Sequence, residues 1–98
     1  MTLTTEKNGT QLTVHLNGEL NTLTAPELSA LLNKELGGVQ ALTLDFKECD
    51  YVSSAGLRVL LATFKQMKAA KGTMALANVG ENFRDVLENT GLDAVFGV

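Results

Sequence analysis

The chain has 98 residues, enough for one domain with a single core, and its 45% hydrophobic and 19% charged composition is that of a globular protein rather than a disordered tail. Eight basic against eleven acidic residues leave a net charge of −3, and no basic run interleaves with aromatics, so a grip on nucleic acid is excluded as a working idea. Cys49 is the only cysteine and forms no internal disulfide, and the opening MTLTTEKNGT has neither a signal-peptide core nor a membrane span. These features together point to a protein of the reducing cytoplasm.

In chain order, Asn8-Gly9 is the first punctuation. As the two centres of a type I′ turn it pairs residues 2–7 with 10–16 in a hairpin, and Leu12, Val14 and Leu16 alternate with Gln11, Thr13 and His15 as in a strand with one buried face. Thr24-Ala25-Pro26-Glu27 reads as a capping box, with the Thr24 hydroxyl on an orphan amide and Glu27 reaching back. The helix it opens carries Leu28, Leu31, Leu32 and Leu36 and stops at Gly37-Gly38. Leu42, Leu44 and Phe46 mark a second strand that runs into a polar turn, KECD.

The stretch DYVSSAGLRVLL follows. From 55 to 71 the residues Leu57, Leu60, Leu61, Phe64 and Met67 share a helical face, Lys68 and Lys71 suit the C-terminal dipole, and Gly72 ends the run. Residues 73–78 form a short strand, and a helix over 81–90 is closed by Gly91. The tail LDAVFGV has no decisive period. The pattern predicts an α/β fold: one small mixed β-sheet with an N-terminal hairpin, at least three neighbouring parallel strands joined by right-handed crossovers, and three or four packed helices.

Several residue types invite chemistry, and each is set against a simpler role. His15, the only histidine, sits on the polar face of its strand without visible partners and reads as exposed filler. Cys49 reads as a small, partly buried side chain. No G-x-S-x-G elbow surrounds Ser53 and Ser54, no histidine lies near them in sequence, and no phosphate-binding loop is present. Asp45, Glu48 and Asp50 gather near a strand's C-terminal end, but with Lys47 among them they read as a solvated turn rather than a metal site.

Of the serine pair, Ser54 is placed as the helix cap, a position where phosphate would meet a helix N-terminus. Beyond it, Ala55, Val59, Ala62, Gln66 and Ala69 form a small-residue stripe opposite the core face, rimmed by Arg58 and Lys65.

NGELNTLTAPEL, LTLDFKECDYVSSAGLRVLL and ENTGLDAVF, in that order, make nearly the whole chain resemble the STAS domain of bacterial anti-sigma factor antagonists. The resemblance implies a single STAS domain over 1–98 that catalyses nothing and needs no metal or cofactor. It implies that the unphosphorylated form binds an anti-sigma factor with serine kinase activity and frees a sigma factor. Phosphorylation, by motif position at Ser54, switches binding off, and a PP2C-type phosphatase restores it.

Family members dock the kinase around this serine and the adjoining helix, which implies contacts at Asn21, Thr22, Ser53, Ser54, Arg58 and Val59. The chain departs from the common pattern where Ser53 replaces an aspartate, Ala55 a hydroxyl residue, and Asn21 the aspartate after G-E-L. A monomer when free, with neither nucleic acid bound nor direct membrane insertion, is the accompanying expectation. The alternative is an accessory STAS subunit docking on a membrane transporter's ATPase through the same helix.

Overall fold

The computed structural model describes all 98 residues, Met1–Val98. The elements run β1 (Thr2–Asn8), β2 (Gln11–Asn17), α1 (Ala25–Glu35), β3 (Ala41–Glu48), α2 (Ser54–Ala69), β4 (Thr73–Ala77), α3 (Glu81–Thr90) and α4 (Leu92–Phe96). One four-stranded sheet has the order β1-β2-β3-β4, antiparallel between β1 and β2 and parallel between β2 and β3 and between β3 and β4. Both crossovers step in the same direction across the sheet. With the usual single handedness they lay α1 and α2 on one face.

Burial agrees with that reasoning. Leu12, Val14 and Leu16 of β2, Leu42, Leu44 and Phe46 of β3, and Met74 and Leu76 of β4 are buried. They form one cluster with Leu28 and Leu32 of α1, Leu57, Leu60 and Met67 of α2, Phe83 and Leu87 of α3, and Phe96 of α4. Phe46 and Phe83 meet with ring centroids 4.8 Å apart, and each fully buried ring contributes roughly 2–3 kcal/mol of transfer free energy. The opposite face, with Thr13, His15, Thr43, Asp45 and Ala75, carries no helix and stays half-exposed or exposed.

Several expected boundaries move. The hairpin loop is Gly9-Thr10, with Asn8 facing Gln11, and of these loop residues only Gly9 has a positive φ (63°); this is the II′ pattern and not I′. Strand β3 continues through Lys47 and Glu48, so the polar turn begins two residues late. Helix α2 ends at Ala69, and the left-handed residue after it is Lys71 (φ 59°), not Gly72. Gly72 is required for another reason: a Cβ there would lie 2.7 Å from the Gln40 carbonyl oxygen. Helix α3 and its left-handed Gly91 (φ 76°) match the expectation, and the tail forms the short α4.

The capping box does not form. The Thr24 hydroxyl donates to the Glu19 carbonyl at 2.6 Å and accepts from the Asn21 amide at 2.8 Å, so it braces the preceding loop and makes no bond to the amides of α1. No helix of the chain is long and apolar enough to cross a membrane.

Candidate functional site

The site is built where β2 and β3 end. Their parallel register slips by one residue between His15 and Asn17, which pairs Asn17 with Glu48. The two chains then stay together past the strands. The Gly18 amide donates to Glu48 at 3.0 Å, the Leu20 amide to Tyr51 at 3.0 Å, and the Ser53 amide back to Leu20 at 2.8 Å. Leu20 and Val52 form an isolated parallel bridge, with both side chains buried. The loop carrying Asn21 and Thr22 is thereby fixed beside the serines at the start of α2.

That loop is itself ordered by a side chain. The Asn21 Oδ1 accepts from the amides of Leu23 at 2.9 Å and Thr24 at 3.1 Å. It holds Leu23 85% exposed, an apolar side chain aimed at solvent next to the serines' loop. Tyr51, two residues before Ser53, is also largely exposed. Sequence reasoning passed over both residues; the available signal was an apolar side chain inside an otherwise polar turn.

The cap of α2 falls to a different serine from the one expected. Ser53 is the cap of α2: its backbone is extended (φ −82°, ψ 175°) and its Oγ accepts from the Gly56 amide at 3.4 Å. Ser54 is the first helical residue, exposed, and its hydroxyl forms no hydrogen bond within the molecule. The expectation that Ser54 caps the helix is therefore corrected: the cap falls to the residue with non-helical backbone. Gly56 lies under the pair, and a Cβ on it would come within 2.8 Å of Leu20 and 2.9 Å of Val52.

One turn further, Arg58 is exposed and Val59 half-buried, and both line a groove between α1 and α2 with Ser29, Asn33 and Gln66. The small-residue stripe is only partly free: Ala62, Gln66 and Ala69 are exposed, whereas Ala55 and Val59 pack against the core. On the other side of the serines, Gly18, Glu19, Glu48, Asp50, Tyr51 and Asn82 line an acidic cleft. Asp50 is bound there by the Asn82 amide group at 2.6 Å, which ties the first turn of α3 to the loop.

Asp45 departs from the other carboxylates. It lies on the helix-free face of the sheet, where it accepts from His15 Nδ1 at 2.7 Å, Asn78 Nδ2 at 2.8 Å and the Lys47 amide at 3.0 Å. Asp45, Glu48 and Asp50 are thus not gathered as metal ligands, and no group of three or more His, Cys, Asp or Glu residues comes together that would hold an ion.

His15 is not filler: its Nε2 also faces Glu6 at 3.3 Å, so it bridges β1 and β3. The Asp45 hydrogen bond, aided by Glu6, holds the imidazole pKa above its ordinary value. Asp45 is held below the usual carboxylate range by Asn78 first and His15 next. Cys49 is fully buried, and desolvation pushes its thiol upward, away from reactivity.

A model of the STAS domain matches residues 2–98. A candidate anti-sigma factor antagonist, BtrV, of Bordetella bronchiseptica is 35% identical over 99 residues, covering 100% of this chain and 85% of BtrV. The crystal structure of an anti-sigma factor antagonist from Mycobacterium paratuberculosis is 27% identical and superposes with a TM-score of 0.85, over 97% of this chain and 81% of that one. SpoIIAA, a Bacillus cell fate determinant solved in its phosphorylated form, has the same fold at 21% identity, with a TM-score of 0.77 over 95% of this chain and 86% of SpoIIAA.

Proposed function

The chain belongs to the STAS domain family, in its group of anti-sigma factor antagonists, and from that membership we propose that it is a switched binding protein controlled at Ser54. Unphosphorylated, it docks on an anti-sigma factor with serine kinase activity and frees the sigma factor in the cytoplasm. Phosphorylation of Ser54 ends the docking, and a PP2C-type phosphatase resets it. That a relative of this fold exists in a phosphorylated form supports the reading.

The observation that carries it is the division of labour between the serines. Ser53 is engaged as the cap, while Ser54 presents a free, exposed hydroxyl at the first turn of α2. A phosphate there adds close to two negative charges at a helix N-terminus, which tolerates an anion, so the domain itself is not unfolded. The cost falls on the docked state, where the dianion is desolvated against a surface fitted to a neutral hydroxyl.

Asn21, Thr22, Ser53, Ser54, Arg58 and Val59 form the contact surface, with Leu23 and Tyr51 as exposed apolar anchors beside it. The single histidine is bound to Asp45 on the other face of the sheet, and the thiol is buried.

The test is to incubate the protein with the purified anti-sigma factor kinase and ATP and to locate phosphate by mass spectrometry. The parent is expected to gain one phosphate at Ser54, and Ser54→Ala none. The phosphorylated form should bind the kinase at least about 100-fold more weakly, the scale expected when like charge is forced into an interface. Equal phosphorylation of Ser54→Ala overturns the proposal. So does a transporter ATPase bound with the same affinity whether or not Ser54 is modified.

A further inference from the structure

Helix α2 exposes Ser54, Arg58, Ala62, Lys65 and Ala69 in one stripe, about one residue per turn. The helix carries three basic residues and no acidic one, although the whole chain is net negative. Arg58 lies a single turn from Ser54. The only ion pairs in the molecule are the two made by His15 on the helix-free face of the sheet, so the Arg58 guanidinium has no carboxylate partner. Arg58 also lines the groove between α1 and α2, beside Asn33 and Val59.

We propose that Arg58 is the internal receptor of the Ser54 phosphate, so that one guanidinium serves a partner's carboxylate at the α1/α2 groove before phosphorylation and the phosphate after it. This rests on Ser54 being the phosphoacceptor. Side chains four apart on a helix are neighbours, and the anion N-terminal to the cation is the favourable order. Arginine keeps its charge at any relevant pH and meets phosphate oxygens through two parallel N–H donors.

Within α2 no other cation lies one turn from Ser54. Lys65 is eleven residues on, about 16 Å along the axis, and the cleft on the other side of the serines offers Glu19, Glu48 and Asp50, which repel the dianion. Phosphorylation therefore acts twice on the docking surface: it adds negative charge at Ser54 and withdraws positive charge from the groove.

Genetically encoded phosphoserine at position 54 tests this without any kinase, so its outcome is separate from whether the proposed kinase exists. Phosphorus NMR titration at low salt reads the second pKa of the phosphate in the parent, Arg58→Gln and Arg58→Lys. Because Arg58 is exposed, these variants leave the core intact. Pairing predicts a pKa lower in the parent than in Arg58→Gln by about 0.3 of a unit or more, with Arg58→Lys between.

Values for the parent and Arg58→Gln that agree within about 0.1 unit overturn the capture. In a second arm, Arg58→Gln without phosphate should bind the anti-sigma factor kinase about 3- to 10-fold more weakly and lose less affinity on phosphorylation than the parent does. An unchanged affinity overturns the competition for the guanidinium.

Discussion

Replacing Gly56 by alanine sets two known effects against each other inside α2. In a helix interior, Gly→Ala stabilises by roughly 0.5–1 kcal/mol because glycine gives up more backbone entropy on folding. Here, however, the new Cβ would stand 2.8 Å from Leu20 Cγ, 2.9 Å from Val52 Cγ1 and 3.0 Å from Leu20 Cδ2. Leu20 is fully buried and Val52 nearly so, so neither swings into solvent to make room. Overpacking a closed site costs about 1–3 kcal/mol, and the confinement of both neighbours favours the upper half of that range.

The net expectation is destabilisation by about 1–2 kcal/mol, or a fall in Tm of roughly 5–12 °C for a domain of this size. Urea and thermal unfolding measure it, with Gly37→Ala as control: Gly37 has open space around its Cβ position and no positive φ, so that variant should be neutral or slightly more stable. The strain falls on the Leu20–Val52 bridge, so amide exchange at Leu20 and Ser53 should quicken in Gly56→Ala before that of the central strands. A Gly56→Ala protein as stable as the parent, or more so, refutes the reasoning.

Other substitutions separate roles that adjoin in sequence. Ser53→Ala removes a long cap bond and should cost about 0.5–1 kcal/mol in urea unfolding, whereas Ser54→Ala, with no bond to lose, should stay within about 0.5 kcal/mol of the parent. Asn21→Ala deprives two amides of their acceptor, and about 1 kcal/mol of stability should go with it, together with slower association with the partner as the loop loosens. If the proposed docking surface is right, Tyr51→Ala should leave Tm unchanged and weaken partner binding about 10-fold by calorimetry, since this aromatic is exposed and lies outside the core.

NMR titration of His15 should give a pKa above 6.5 that falls in Asp45→Asn. Because the folded-state pKa is raised, the stability this imidazole adds is full below pH 6.5 and is lost as pH rises through the folded value. The Asp45 contribution runs the other way, present above pH 3.8 and lost as pH falls through its depressed pKa.

Residue patterns revealed those elements whose signals are local. Helix α3 and Gly91 were legible because the left-handed C-cap and the apolar spacing lie within one short window. The three parallel strands followed from period-2 runs separated by helical ones. The capping box at Thr24 failed because the same hydroxyl had a second use, bracing the Glu19–Asn21 loop, which only the folded geometry reveals.

Which serine caps α2 was equally hidden. Either hydroxyl suits the role, and the choice turns on where the backbone leaves the extended region. The His15–Asp45 pair joins residues 30 apart and depends on a parallel register that no local pattern encodes. Exposed Leu23 and Tyr51 were missed because apolar letters are read as core.

The strand polarity that builds the site also decides how the protein should be handled. Met1 lies against Gly18, and Thr2 pairs with Asn17, so a tag fused ahead of Met1 emerges toward the Asn21–Thr22 loop and, on the proposed docking mode, would stand in a partner's way. The Gly9-Thr10 hairpin tip sits at the other end of β2, about 20 Å away along seven strand residues. A fluorophore or affinity handle inserted there leaves the serines and the α1/α2 groove unobstructed, and it is the attachment point to choose for binding measurements and for any sensor of phosphorylation state.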